Sequence, residues 1–222
     1  MPPDWSLLTK EALRKSLHMA GFVIPLVYYF FIPRTVLLFI LAAAVAAAAL
    51  LELIRTSGNP IFPRVLLREH EEKGVLAGYF YSVLSMFLAL LLFDKTVATA
   101  AMLFLTLGDG ITGLAGALMS ELTGRKEADK RDYSHTARPL LGELSYAASH
   151  HKPPVLMAVM LVTCGFIGLA LYPALSPAAI IAGALGSVIA DAFPWSFFGI
   201  MVDDNLSIPL LSGALMILAG AL

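Results

Sequence analysis

From Pro153 to Leu222 the chain carries three acids, Asp191, Asp203 and Asp204, and no lysine, arginine or histidine. A fourth acid, Asp109, sits near the middle of another apolar run, Thr96 to Leu122. A carboxylate in hydrocarbon costs about 2.5–3.5 kcal/mol on insertion scales. Acids in such surroundings face a cavity, a metal or a cation borrowed from elsewhere in the fold. Any structure this sequence adopts must bring a distant charge to these positions, which makes them candidate site residues.

The surroundings are apolar throughout. Of 222 residues, 59% are hydrophobic and 14% charged, where a soluble domain carries about 25% charge. The mean hydropathy is +0.81, and the apolar residues fall in runs long enough to cross a bilayer. The expected fold class is all-α, a polytopic membrane helical bundle forming one integral membrane domain over 1–222. A net charge of −1 says nothing by itself about partners, and no nucleic acid is expected among them. Cys164, the single cysteine, excludes a disulfide framework and a cysteine-based metal site and reads as a small buried hydrophobe. Met1 to Leu17 is polar and charged, unlike a signal peptide, so 1–16 reads as an interfacial helix.

Seven apolar segments follow from the pattern: Leu17–Ile32, Thr35–Ile54, Val75–Phe93, Val97–Leu122, Val155–Tyr172, Pro177–Phe193 and Leu206–Leu222. The fourth exceeds 20 residues and is interrupted by glycines, which suits a tilted or broken helix. With the N-terminus cytoplasmic and the C-terminus outside, every lysine and arginine except Arg34 and Lys95 falls on the inner side, as the positive-inside rule asks. An even number of spans would break this alternation. The inner face then receives the N-terminal segment, the loop Thr56–Gly74, the long loop over 123–154, the loop Pro194–Asn205 and all five histidines.

Four groups on that face carry chemistry. Glu11, Arg14, Lys15 and His18 recur at three and four residues, one side of a helix; an interfacial ion-paired helix has the same spacing, but His18 lies where the chain is already turning apolar. Gly108-Asp109-Gly110-Ile111-Thr112-Gly113 matches G-x-G-x-x-G, yet a dinucleotide fingerprint needs a βαβ unit. Two readings remain: a glycine packing face between helices, which leaves Asp109 unexplained, or an Asp holding a divalent metal where glycine lets phosphate approach. Asp203-Asp204-Asn205 precedes the last segment; one residue suffices for an N-cap, and three suggest metal or substrate contact. Asp191 either extends that cluster or reaches the interface. The long loop, with Arg125, Lys126, Lys130, Arg131, Arg138, Gly142 and Glu143, reads equally as a lipid-headgroup patch or a triphosphate cradle. Glu52 and Arg55 are spaced to pair with each other, while Glu69, Glu71 and Glu72 balance the cations of their own loop. Together these groups suggest a soluble phosphorylated donor and a lipid acceptor entering sideways.

The chain resembles the CTP-dependent polyprenol kinases, the family of dolichol, phytol and farnesol kinases. Their pattern E-x-x-R-K-x-x-H-x-x-x-G corresponds to Glu11, Arg14, Lys15, His18 and Gly21. Their G-D-x-x-x-x-x-x-G corresponds to Gly108, Asp109 and Gly116, and their D-D-N-x-x-I-P to Asp203, Asp204, Asn205, Ile208 and Pro209. At the family's K-[ST]-x-E-G-[ST] stretch this chain reads Arg138-Pro139-Leu140-Leu141-Gly142-Glu143, keeping the cation and the glycine but not the hydroxyls or the Glu.

The resemblance implies transfer of the γ-phosphoryl of CTP to an isoprenoid alcohol with Mg²⁺ or another divalent cation. On that basis Asp109, Asp203 and Asp204 are the expected metal ligands. Arg14, Lys15, Gly108, Gly110, Arg138 and Gly142 are expected at the nucleotide. Glu11, His18 and Asn205 are expected at the acceptor, with Asp109, Asp204, Lys15 and His18 in the chemistry. His18 would receive or orient the hydroxyl proton, a task an Asp could also perform. A CTP-dependent lipid cytidylyltransferase and an ion-coupled transporter are the alternatives. The size suits a prokaryotic plasma membrane protein with its active site at the cytoplasmic face.

Overall fold

The computed structural model describes residues 5–57, 71, 75–123, 140–197 and 200–220. It is helical apart from one two-residue antiparallel ribbon, Ser196–Phe197 against Ile200–Met201. The helices are α1 (Trp5–Ala20), α2 (Val23–Phe30), α3 (Arg34–Thr56), α4 (Gly78–Leu92), α5 (Lys95–Thr123), α6 (Leu140–Ser149), α7 (Pro154–Ala170), α8 (Pro177–Ala192) and α9 (Asp204–Gly220). Their starts follow local chemistry. Asp94 caps α5 by accepting from the amides of Thr96 and Val97 at 2.9 and 3.1 Å, as a short acidic side chain at the N-cap does. Ser176 caps α8 through the Ala179 amide, with Pro177 in the first turn, where its missing N–H is no loss.

The long helix α5 is the axis of the bundle. Its first half packs against α2, α4 and α9, and its second half against α1 and α7. Ala98, Ala100, Ala101, Met102, Phe104 and Leu105 are all buried. Around it α9 lies along α8, α8 along α7, and α3 along α4. The α8–α9 contact is close because Gly183 faces Met216 and Gly186 faces the Ser212 backbone, the use of small residues expected where helices meet in apolar surroundings.

Among the described residues two helices, Arg34–Thr56 and Lys95–Thr123, are long and apolar enough to cross a membrane; Gly78–Leu92, Pro154–Ala170, Pro177–Ala192 and Asp204–Gly220 are shorter apolar helices. The expected first segment, Leu17–Ile32, is divided between the end of α1 and the eight-residue α2. The expected break in the fourth segment is a π-helical turn, Phe104–Asp109, within a continuous helix. The N-terminal helix continues to Ala20 and packs on α5 with Lys15 buried.

Two glycines make that packing close. A Cβ at Gly110 would lie 2.2 Å from Met19 Cγ, and one at Gly113 would lie 2.1 Å from Lys15 Cε. Gly113→Ala therefore displaces the Lys15 stem and should lower stability by about 1–3 kcal/mol, the usual range for overpacking. At Gly165 a Cβ meets nothing within 4 Å, so Gly165→Ala should be neutral or stabilise by about 0.5–1 kcal/mol through helix propensity. Thermal unfolding of both variants in detergent checks the contrast.

Candidate functional site

Asp109 ends the π-helical turn, 2% exposed in the middle of α5. A π turn changes the register of the residues that follow and recurs at functional positions. Across the Gly113 gap, Lys15 sends its ammonium to Asp109, with Nζ 2.9 and 2.8 Å from the two carboxylate oxygens and 3.4 Å from the Asp109 carbonyl. His18, one turn further along α1, has Nε2 3.0 Å from the Leu105 carbonyl and 3.3 Å from Asp109 Oδ2. A carbonyl can only accept, so Nε2 carries the proton. That nitrogen donates, and His18 is suited to orienting a partner rather than taking a proton there.

Two further acids converge on Asp109. Asp191 lies in the last turn of α8 and Asp204 begins α9. Asp109, Asp191 and Asp204 each offer an oxygen within 4.8 Å of the others, and all three are buried. Their second cation is Lys152, immediately before α7, whose Nζ is 2.7 Å from Asp191 Oδ1 and 4.0 Å from Asp204 Oδ2. The Lys152 amide donates to the Ala192 carbonyl at 2.9 Å, which fixes it beside the end of α8. The charge missing from the cation-free part of the chain is thus supplied by α1 and by the approach to α7. Oxygens this close suit one hard cation, whose oxygen ligands stand about 2.0–2.6 Å away.

The expected trio contained Asp203 where the structure has Asp191. Asp203 Oδ1 accepts from the Asn205 amide at 2.9 Å and from Asn205 Nδ2 at 2.6 Å, an N-cap role at the start of α9. Gly108 and Gly110, expected at the nucleotide, both lie at close helix contacts: Gly110 faces Met19, and a Cβ on Gly108 would lie 2.8 Å from Cys164 Sγ. Glu11 forms an ion pair with Arg14 on the outer part of α1. Gly142 lies in the first turn of α6. Arg138 lies outside the described residues.

A cleft of about 330 Å³ opens beside Asp109. One wall is α1 and α2, with Arg14, Lys15, Leu17, His18 and Ile24; the other is α4, with Tyr79, Ser82, Val83 and Met86; Thr106, Asp109, Glu71 and Asn205 also line it. Leu17 and Ile24 are exposed at its edge, so the cleft has an apolar side mouth and a polar inner end. Asn205, expected at the acceptor, is therefore brought to the same space as Arg14, Lys15, His18 and Asp109, while Glu11 and Gly142 are not among its lining residues.

Several contacts escaped the sequence reading. Asp191 stands out there as an uncompensated acid, but nothing in its spacing places it beside Asp109. Lys152 was countable only as a topology charge. Glu71 looked like loop balance, yet it is buried and accepts from the Gly78 amide at 2.8 Å. No spacing marks Tyr79. No protein-family model, curated protein or solved structure matches the chain.

Removing one partner of a buried ion pair leaves an uncompensated charge, at about 3–5 kcal/mol. Lys15→Met should therefore destabilise by that order, and Lys15→Met combined with Asp109→Asn should recover much of the loss. Asp203→Ala should cost about 1 kcal/mol, the loss of a cap. Unfolding midpoints of the four proteins, wild type included, measure both effects.

Proposed function

We propose that the chain is an integral membrane kinase that transfers the γ-phosphoryl of CTP to a long-chain isoprenoid alcohol of the dolichol, phytol or geranylgeraniol type. The observation that carries this reading is the joining of two unlike spaces. A group of three buried carboxylates and two lysines meets an apolar cleft with a side mouth at Asp109 and Lys15, which line the cleft's inner end. A lipid with one hydroxyl matches the cleft, and phosphates match the charged end. The outer surface supports a bilayer setting: Phe39, Phe166, Ile181 and Leu218 are 74%, 68%, 62% and 62% exposed on α3, α7, α8 and α9, more apolar exposure than water-soluble monomers carry. The seven-span topology, the cytoplasmic site and a prokaryotic plasma membrane belong to the same proposal, and the choice of CTP rests on the sequence resemblance.

Phosphoryl transfer depends mainly on positioning and charge neutralisation. The alcohol oxygen bonds to the γ-phosphorus as the bond to the bridging oxygen of the donor breaks; CDP leaves with that electron pair, and the hydroxyl proton passes to a base. Asp109, Asp191 and Asp204 would hold a divalent cation, which supplies charge neutralisation for the phosphates. Lys15, released from Asp109 as that charge is shared, is placed to contact a phosphate oxygen, and Arg14 lies at the same end of the cleft. His18 donates from Nε2 and orients oxygen ligands arriving beside Asp109. The hydroxyl proton then falls to a carboxylate or to the other ring nitrogen of His18. Leu17, Ile24, Val83 and Met86 would take the chain of the alcohol and keep water from its first carbons.

Purified protein in detergent with Mg²⁺ and γ-labelled CTP or ATP should move label from CTP to geranylgeraniol, phytol or a dolichol. Asp109→Asn should reduce transfer beyond the roughly 10–100-fold loss that follows removal of an outer-shell partner, with unchanged expression. Label recovered as pyrophosphate, with a CDP-lipid as the other product, would move the chain to the cytidylyltransferases. No transfer from either nucleotide would reject the kinase reading.

A further inference from the structure

A second buried polar group lies on the far side of α4. Glu52 and Arg55, on the last turns of α3, are 3% and 8% exposed. Arg55 donates Nε to Glu52 Oε1 at 3.0 Å and Nη2 to Glu52 Oε2 at 2.7 Å. Its remaining donors reach the carbonyls of Glu71 and, at 2.7 Å, Val75. Glu52 in turn accepts the Ala77 amide at 3.2 Å and the Tyr79 hydroxyl. Every partner outside the pair thus falls between residues 71 and 79, the approach to α4 and its first turn.

That turn is one edge of the cleft. Tyr79 lines the cleft, and Gly78 abuts Asn205, since a Cβ there would lie 3.0 Å from Asn205 Nδ2. A second groove of about 240 Å³, lined by Ala49, Glu52, Leu53, Thr56, Leu76 and Phe80, borders the same ion pair. The hydrogen bonds of the pair run to this turn on the side of that groove and fix its position there. The Tyr79 hydroxyl bonds Glu52, and Arg55 orients that carboxylate.

We propose that Glu52 and Arg55 are positioning residues for the cleft, holding Tyr79 and the first turn of α4 so that the wall presented to the lipid chain has a fixed width. This rests on the reading of the cleft as the acceptor site. The pair touches neither nucleotide nor reacting atoms, so its loss acts on acceptor binding and leaves the chemical step alone. Lysine at position 55 keeps the charge but cannot supply the planar fork to Glu52 and the two carbonyls together. Phenylalanine at position 79 keeps the ring and removes the hydroxyl that bonds Glu52, which guards against a variant that fails to fold.

Arg55→Lys and Tyr79→Phe are compared with wild type in two assays. In the transfer assay both should raise KM for geranylgeraniol about 3- to 20-fold, the range for losing one or two hydrogen bonds, with kcat and KM for CTP within about twofold. In the second assay, geranylgeraniol in mixed micelles should raise the unfolding temperature of wild type, and the rise should shrink in both variants. A fall in kcat with unchanged acceptor KM, or a lipid-induced shift equal to wild type in both variants, overturns the positioning role while leaving the cleft assignment standing. A wild type that shows no lipid-induced shift overturns the acceptor cleft itself and this role with it.

Discussion

The contact between Lys15 and Asp109 is the constraint on which the rest of the arrangement depends. A carboxylate buried mid-helix in an apolar bundle is costly unless a cation sits against it with good geometry. Here the cation comes from 94 residues away and bonds both carboxylate oxygens. Its approach requires α1 to lie flat on α5, which in turn requires hydrogen rather than a methyl at Gly110 and Gly113. The π-helical turn ends at the residue that receives it. Helix packing, helix register and charge balance are therefore one feature seen three ways.

Asp191 and Asp204 repeat the arrangement with Lys152 as the borrowed cation. Three acids against two lysines leave the centre short of positive charge, with His18 close by on Asp109. Such a centre suits the further cation proposed for it. The cleft adds direction to this chemistry. Its charged end is buried against α5 and α9, while its apolar mouth opens at Leu17 and Ile24. A substrate with one polar end and a long apolar tail suits that gradient, which is the physical basis of the proposal of a lipid-alcohol acceptor.

Much of this was legible in the sequence because it followed from local rules. Helical class and the strong α3 and α5 segments came from hydropathy, and glycine placement marked the irregular stretch that proves to be a π-helical turn in a continuous helix. Asp109 and Asp204 were visible as charges with no local compensation, and Glu11, Arg14, Lys15 and His18 as one helix side. What could not be read was pairing. Asp203 and Asp204 both accept from the Asn205 amide, and which of them joins Asp109 and Asp191 is a matter of side-chain direction at a helix start. Gly108 and Gly110 fit a phosphate loop or a packing face by spacing, and no spacing foretells that Cys164 and Met19 lie opposite them. Tyr79 gains its role only because α3 ends beside α4, a contact that no periodicity announces.

The most direct test of the centre is a titration of detergent-solubilised protein with Mn²⁺, followed by electron paramagnetic resonance, in wild type, Asp191→Asn and Asp203→Ala. If Asp109, Asp191 and Asp204 form the ion site, wild type and Asp203→Ala bind Mn²⁺ with similar affinity, and Asp191→Asn weakens binding by at least about tenfold. Binding that survives Asp191→Asn unchanged but is lost in Asp203→Ala would contradict it.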